Sequence, residues 1–194
     1  MISSPLILHF PSSVQMTDDQ FFDFCQENRD LRIERNRFEN ILIMPPVDLE
    51  TGNREFHIIG QLAIWSDENG TGIGFSSSAG FTLSTGAIRS PDASWIKLAR
   101  WNQLTPAQQK KFAPICPDFV IELRSASDNL RPLKDKMQEY MQEPGIQLGL
   151  LIDRKNRRVY IYHPGEIEEC VENPDTVSCE SVLSGFVLDM NKIW

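Results

Sequence analysis

The sequence is poor in the residues from which zinc sites and disulfide frameworks are built. It has three histidines and four cysteines among 194 residues, and no two cysteines form a C-x-x-C pair. The histidines, His9, His57 and His163, stand alone, without a cysteine or carboxylate at metal-ligand spacing. We therefore expect no zinc ribbon, no histidine zinc site and no thioredoxin-type motif, but four free thiols in a reducing cytoplasm.

Long apolar runs are also absent, and basic residues are in the minority. No stretch approaches roughly 18 consecutive apolar residues, which predicts a protein without a membrane span or membrane partner. The N-terminal stretch 1–13 lacks a basic start and is interrupted by Pro5 and Pro11, so we expect no signal peptide and a cytoplasmic location. The 27 acidic and 19 basic residues give a formal net charge of -8, which argues against a protein that coats nucleic acid.

The composition that remains is that of a globular protein with both helices and strands. Hydrophobic residues make up 41% of the chain, and its length favours a single domain. Thr17 to Gln20 form a capping box that begins a helix, which Asn28 and Asp30 end. Apolar periodicity and turn residues then predict helices over 48–67, from 105 and over 128–141, and strands over 31–35, 39–44, 73–77, 81–83, 93–98, 119–124, 146–152, 157–162, 167–171 and 181–188. This order predicts an α/β fold with a mixed sheet.

Three segments are expected within the single domain 1–194. Residues 17–46 form an N-terminal αββ element, residues 47–165 form the core, and residues 166–194 form a β-rich tail. We expect exposed strands in the tail, with Trp194 at its end, to be a candidate interface for a homodimer.

Three acids and one lysine are polar on faces that otherwise look buried. Glu122 lies in an apolar run suited to a central strand, where a carboxylate is costly unless it is paired or bound to metal. Asp92 ends a turn that leads into a strand, and Glu55 shares a helical face with apolar residues. Lys136 shares its face with Leu133, Met137 and Tyr140, so its ammonium group should point inward.

Two or three acids with one lysine are typical of a magnesium-dependent phosphodiesterase. Mg²⁺ takes carboxylate oxygens and keeps several waters. The metal activates a water and neutralises charge on the phosphate. The lysine can orient or deprotonate that water, or stabilise the charge that develops on oxygen.

A series of short segments in a set order carries a family resemblance. The central segment is Pro117-Asp118-Phe119-Val120-Ile121-Glu122-Leu123-Arg124-Ser125, and the others are residues 31–35, 43–45, 80–83, 89–92, 133–136, 144–146 and 150–153. From about Thr17 to Glu166 the chain resembles the Uma-two-type restriction endonucleases, a branch of the PD-(D/E)XK nuclease superfamily. The resemblance implies a restriction-endonuclease-like mixed β-sheet core flanked by helices, which binds Mg²⁺ or Mn²⁺ and hydrolyses DNA.

The resemblance also implies roles for individual residues. Asp92 would be the metal-binding acid of the P-D motif, and Glu122 the acid of the (D/E)-x-K motif. Arg124 stands where the superfamily usually has lysine, and arginine stays protonated, so it cannot act as a base. The resemblance places the active lysine on the next helix, at Lys136. The backbone carbonyl of Leu123 would be a further metal ligand.

Two residues compete for these roles, and basic residues elsewhere remain open. Asp118 precedes Glu122 by about 13 Å along a strand, too far to share one metal ion. Lys134 lies about 160° around the helix from Lys136. The basic run 154–158 is either a solvated turn or a contact to phosphates. Positive charge is also expected around Asp92 from Arg89, Lys97, Arg100, Lys110 and Lys111.

The leading interpretation is a metal-dependent endonuclease acting on DNA. Asp92, Glu122 and Lys136 would be catalytic, and Asp92, Glu122, Leu123 and Glu55 would hold Mg²⁺ or Mn²⁺. RNA or branched DNA is an alternative substrate, and a homodimer is expected by analogy. The rival interpretation is a binding or assembly module that keeps the fold without turnover.

Overall fold

The computed structural model describes residues 5–11 and 13–194. Residues 1–4 and 12, which belong to the stretch where we expect no signal peptide, lie outside the described residues. The elements in chain order are β1 (Leu6–Leu8), α1 (Asp18–Glu27), β2 (Arg32–Arg35), β3 (Ile41–Met44), α2 (Leu49–Asn69), β4 (Gly72–Ser76), β5 (Phe81–Thr82), β6 (Ile88–Arg89), β7 (Ala93–Lys97), α3 (Leu98–Trp101), β8 (Phe119–Arg124), α4 (Leu130–Met141), β9 (Leu148–Asp153), β10 (Arg158–Tyr162), β11 (Glu169–Glu172), β12 (Thr176–Ser178) and β13 (Val187–Asp189).

Two sheets and a small ribbon make up the described architecture. The large sheet has the strand order β11-β10-β9-β8-β7-β4, and the small sheet has the order β1-β3-β2-β6-β5. Strands β8 and β9 run parallel and are joined by α4, whereas the other neighbours in the large sheet run antiparallel. Strands β12 and β13 form the ribbon. The α/β fold with a mixed sheet is confirmed.

The helix boundaries follow from their capping residues. Thr17 accepts the backbone N–H of Gln20, whose side chain accepts the N–H of Thr17, so the predicted capping box begins α1. The carboxylate of Asp48 caps α2 at its start. Gly70 ends α2 with a φ of 67°, a left-handed conformation that glycine adopts without strain.

Several short elements differ from the prediction. Strands β1, β6 and β12 and helix α3 were not predicted, because each has five residues or fewer and depends on its neighbours rather than on a long periodic pattern. The short helix expected from Thr105 is a 3₁₀ turn at Gln108–Lys110. The hydroxyl of Thr105 accepts the N–H of Gln108 just before this turn, but no longer apolar face follows to extend the turn into a helix.

The C-terminal tail packs in part against the core, and the expected exposed strand is present in it as β11, at the edge of the large sheet. Of the predicted strand 181–188, only Val187 and Leu188 lie in a paired strand, β13, whose partner is β12. The tail buries Val177, Leu183, Phe186, Leu188, Met190 and Ile193 in the core beneath α2. The indole N–H of Trp194 donates to the carbonyl of Pro174. The apolar side of the tail is covered by its own chain, while the division at residues 46 and 165 stays a prediction, as does the homodimer.

Apolar clusters cover both faces of the large sheet. Helix α2 and the tail pack on one face, and α4 packs on the other. A third cluster lies between α1 and the small sheet. The chain passes directly from the small sheet to the large one between β6 and β7, and Asp92 lies at that crossing.

The cysteines are as the composition predicts. The four cysteines are free thiols, two of them buried. No helix in residues 5–11 and 13–194 combines the length and apolar character that crossing a membrane requires.

Candidate active site

The two sheets and helix α4 enclose a cleft of about 1130 Å³. Its charged lining comes from five elements: β2, β6, the start of β7, β8 and α4. Helix α2 adds one carboxylate at its edge. The cleft therefore collects charged side chains that are distant in sequence.

Strand β2 sends its charged residues to both of its faces. Because side chains alternate along a strand, Arg32 and Glu34 share the face that lines the cleft. Ile33 and Arg35 share the opposite face, where Arg35 pairs with Asp18 of α1. Glu34 is only 1% exposed, so its carboxylate needs partners within the protein.

Lys136 lies at the centre of the charged lining. Its Nζ is 2.8 Å from Oε1 of Glu122 and 2.9 Å from Oε1 of Glu34, and its side chain is only 10% exposed. Met137 and Tyr140, on the same side of α4, are fully buried, as the periodicity predicted. Burial lowers the pKa of Lys136, but Glu122 and Glu34 outweigh burial and raise the pKa above its ordinary value. Lys136 is therefore an ammonium ion.

Glu34 is shared between two cations. Its Oε1 also accepts the backbone N–H of Ser90, and its Oε2 accepts from Nη1 of Arg89 at 3.1 Å. Nε of Arg89 donates to Glu139 of α4 at 2.7 Å. Burial alone would raise the pKa of Glu34, but Lys136 and then Arg89 lower it to about 2. Glu34 thus remains ionised and holds β2, β6 and α4 together.

Glu122 occupies a position in β8 that would otherwise be apolar. Phe119, Ile121 and Leu123 alternate with it and face the opposite core. Burial raises the pKa of Glu122 to about 7, Lys136 opposes this, and the nearby carboxylates of Asp92 and Glu34 add to it. The hydroxyl of Tyr140 donates to Oε1 of Glu122 at 3.1 Å.

Asp92 is fixed beside Glu122 by both of its oxygens. Oδ1 accepts from Nη2 of Arg32 at 2.9 Å, and Oδ2 accepts the backbone N–H of Leu123 at 2.8 Å. The second contact ties Asp92 to the residue that follows Glu122. The two acids predicted from sequence are therefore neighbours across β7 and β8.

Glu55 lines the same cleft from helix α2. Burial and, after it, the negative charge of Asp92 raise its pKa to about 7. Glu55 therefore lies within electrostatic reach of Asp92, as its predicted position requires.

The charged lining contains more acids than bases. Among the lining residues around Asp92 and Lys136, five carboxylates face three basic groups: Asp92, Glu122, Glu34, Glu139 and Glu55 against Arg32, Arg89 and Lys136. Full ionisation leaves a surplus of two negative charges. A divalent cation carries the charge that would balance it.

The donors present fit a weakly held Mg²⁺ ion. Among residues 5–11 and 13–194, no three histidine, cysteine or acidic side chains are already grouped as metal ligands. Mg²⁺ is usually bound through one or two carboxylates, with waters and substrate phosphate completing its shell. Asp92 and Glu122 supply that number of hard oxygen ligands.

The sequence as a whole matches one family model. That model, Uma2, has the description "Putative restriction endonuclease" and matches residues 18–191. The protein belongs to the Uma2 family. The resemblance stated from the sequence motifs is thereby confirmed, and membership of a family with this description supports a nuclease role.

A solved structure shares the fold of this Uma2 chain. The crystal structure of a "putative nuclease belonging to DUF820" from Anabaena variabilis ATCC 29413 superposes with a TM-score of 0.69 at 19% identity. The superposition covers 83% of this chain and 88% of that chain. A comparison with curated proteins gives no match.

The two residues of this Uma2 chain that competed for the site roles, Asp118 and Lys134, lie outside the cleft. Asp118 is fully buried before β8, where it accepts from the backbone N–H of Lys97 and from Arg100. Lys134 pairs with Glu168, on the side of α4 away from the cleft. The partners of Asp118 and Lys134 account for the presence of both charged side chains without a catalytic role.

Arg124 is also a structural residue. Its Nη1 contacts both carboxylate oxygens of Asp153, at 2.9 and 2.8 Å, and its Nε donates to the carbonyl of Asp128. Asp153 lies directly opposite Arg124 in the parallel pair β8–β9. Arg124 therefore has a structural partner at the position where the resemblance to PD-(D/E)XK nucleases implies a lysine.

Most of the basic residues expected near Asp92 lie elsewhere. Of the five named from sequence, only Arg89 lines the cleft. Lys97 and Arg100 surround Asp118, and Lys111 pairs with Asp19. The expectation of positive charge around Asp92 was therefore wrong for these residues, because the strands carry them to the far end of the sheet.

The basic run 154–158 forms the turn between β9 and β10. Arg154 pairs with Glu50, and Arg158 pairs with Glu172. None of the five residues of the run lines the cleft that the structure describes. Of the two alternatives, the contacts favour a solvated turn.

Sequence reasoning did not assign roles to Glu34, Arg32, Glu139 or Tyr140. The signal was present in β2, where three of four residues are charged yet the strand pairs on both sides. A charged strand in the interior of a sheet has to find partners across a packed face. Which face it meets is visible only in the folded molecule.

Proposed function

We propose that this protein is a metal-dependent endodeoxyribonuclease. The observation that carries the proposal is the joint position of Asp92, Glu122 and Lys136 in one cleft. Two carboxylates beside one ammonium group are the chemistry that phosphodiester hydrolysis uses, with oxygen ligands for the cation and positive charge for the phosphate. Family membership supports the same class of reaction.

Asp92 and Glu122 would hold Mg²⁺ or Mn²⁺, with Glu55 and the backbone carbonyl of Leu123 as further ligands. When bound, such a cation lowers the pKa of a water and neutralises charge on the phosphate. Binding would also lower the pKa values of Glu122 and Glu55, which burial and, after it, the nearby carboxylates raise. The surplus of two negative charges around Asp92 and Lys136 favours a divalent ion over a monovalent one.

Lys136 would act through its positive charge. Hydrolysis forms a bond between a water oxygen and phosphorus and breaks the bond to one ester oxygen, which leaves with a proton. Because its two carboxylate partners keep Lys136 protonated, it is suited to stabilise the phosphate oxygens or orient the water rather than to remove a proton from it. Glu34 and Tyr140 hold Lys136 and Glu122 in place.

The test is cleavage of supercoiled plasmid in Mg²⁺, Mn²⁺ or EDTA. We expect nicking by the wild type in either metal, none in EDTA, and none with Glu122→Ala or Asp92→Ala, which should also abolish Mn²⁺ binding in calorimetry. Lys136→Ala should lower the rate by about 10²–10³ while sparing Mn²⁺ binding. Lys134→Ala is the matched control, since it is a lysine of the same helix outside the cleft, and should cleave normally.

Two results would contradict the proposal. Cleavage by Lys136→Ala at the rate of the wild type would remove its role. Tight Mn²⁺ binding without cleavage of any DNA would favour the rival, a nuclease-fold module that binds or assembles without turnover. Circular dichroism of each variant shows whether a loss of activity reflects a loss of fold.

A further inference from the structure

The cleft has a charged wall and an apolar wall, which lie side by side on the small sheet. Strands β2 and β3 are antiparallel, and their register places Arg32 opposite Met44 and Glu34 opposite Leu42. Residues directly opposite each other project from the same face, with Cβ atoms roughly 5 Å apart. The apolar side chains therefore begin one strand away from the ion pairs of the candidate active site.

The apolar wall extends outward to an exposed aromatic ring. Pro45, Pro46 and Val47 continue it beyond β3, and Phe38 stands at the turn between β2 and β3. Phe38 is 69% exposed. The guanidinium of Arg37 lies 4.9 Å from the centre of its ring. A flat aromatic and guanidinium surface of this kind is suited to stacking.

The cleft offers little to the phosphate backbone of a duplex. Eight carboxylates and five basic side chains line it. Four of the five basic groups are already paired with carboxylates. Among the residues that the structure describes, no carboxylate pairs with the fifth, Arg37. Proteins that bind duplex DNA neutralise many phosphates with free lysine and arginine side chains, and this lining supplies one.

Resting on the proposed function, we infer that the cleft takes an unpaired DNA strand. The scissile phosphate lies at Asp92 and Glu122, the neighbouring bases lie against Met44 and Leu42, and a base further along the strand stacks on Phe38. Every base has an apolar face that stacks without regard to sequence, whereas in a duplex those faces are already stacked on each other. The apolar wall thus recognises what only an unpaired strand exposes.

A binding experiment tests this independently of cleavage. Fluorescence anisotropy measures the affinity for a labelled single strand, its duplex and the RNA of the same sequence, with Ca²⁺ in place of Mg²⁺. We expect the single DNA strand to bind most tightly. Phe38→Ala should weaken its binding roughly five- to hundredfold, the range that one lost base stack produces. With few phosphate contacts, the log–log salt slope should be about −2 or shallower.

Phe56→Ala is the matched control, because Phe56 is 70% exposed on α2 and lines no part of the cleft. It should bind as the wild type does. Since Phe38 is equally exposed, its truncation leaves the core intact. Equal loss in both variants, or no loss in Phe38→Ala, would overturn the inference.

A cleavage assay separates this inference from the proposed function. It compares the same single strand, the same plain duplex and a duplex that contains a central unpaired bubble. Faster cutting of the single strand and bubble than of the plain duplex supports both. Cutting of the plain duplex as fast as the single strand overturns the inference and leaves the nuclease proposal intact. Absence of cutting with Phe38-dependent strand binding overturns the nuclease and retains the binding surface. Tighter binding of RNA than of DNA overturns the choice of DNA.

Discussion

The buried carboxyl of Glu122 predicts that stability falls as pH rises toward 8. Its pKa is about 7 in the folded protein against an ordinary value of 4.5. Between these pH values the folded state keeps a proton that the unfolded state has lost, so the free energy of unfolding decreases with pH. A difference of about 2.5 pKa units at about 1.36 kcal/mol per unit gives about 3 kcal/mol.

Glu122→Gln isolates this effect. Glutamine has the same shape and still accepts the hydrogen bond of Tyr140, but it cannot ionise. At pH 5 the variant should therefore be about as stable as the wild type, in which Glu122 is protonated. At pH 8 the variant should be more stable by about 3 kcal/mol. Glu55 titrates in the same range in both proteins, so it cancels in the comparison.

Urea denaturation at pH 5 and pH 8 in EDTA measures this difference. Tryptophan fluorescence can follow unfolding, because Trp95 is buried in the main core. Addition of Mg²⁺ at pH 8 should raise the stability of the wild type and leave Glu122→Gln unchanged. A difference between the two proteins that changes by less than about 1 kcal/mol from pH 5 to pH 8 would refute the reasoning.

Three further substitutions test other contacts. The pKa of Glu34 is lowered to about 2, so Glu34→Gln should reduce the free energy of unfolding by about 3 kcal/mol at pH 7. This loss should vanish as pH falls from 4.5 to about 2, because Glu34 of the wild type then becomes uncharged as well. A loss that does not change with pH in urea titrations would contradict this reasoning. Arg124→Lys keeps a positive charge beside Asp153 but loses the hydrogen bond from Nε to the carbonyl of Asp128, so it should lower the melting temperature. Plasmid cleavage at room temperature should stay unchanged, and a gain in cleavage would show that position 124 is catalytic. Thr17→Ala removes the α1 cap and should cost about 1 kcal/mol in urea, whereas Thr17→Ser should cost little.

The sequence predicted correctly those elements whose conformation depends on residues that are close together in the chain. The capping box at Thr17 begins α1, the apolar run at β8 lies at the centre of the large sheet, and the spacing of Lys136, Met137 and Tyr140 gives the buried side of α4. Each of these features depends on residues within one or two turns or one strand. Strand β6 has two residues, and nothing local distinguishes it from a loop.

The partners of the candidate site residues depended on contacts across the whole chain. Asp92, Glu122 and Lys136 could be selected because each is polar on an apolar face. Glu34 could not be assigned to Lys136, since 102 residues separate them and only the packing of the small sheet against α4 joins them. Arg124 was ambiguous for the same reason, because Asp153 belongs to the next strand of the sheet.

The ion pairs around Lys136 also join the two sheets. Arg32, Glu34 and Arg89 belong to the small sheet, whereas Glu122 belongs to the large one and Asp92 lies directly before its strand β7. Loss of Arg32, Glu34 or Arg89 leaves a buried charge without one of its partners, a cost of about 3–5 kcal/mol. Natural selection for a folded molecule therefore preserves these three side chains even in a lineage that has lost catalysis. Inactive members of such a family are expected to keep the three, whereas stability does not require them to keep Glu122.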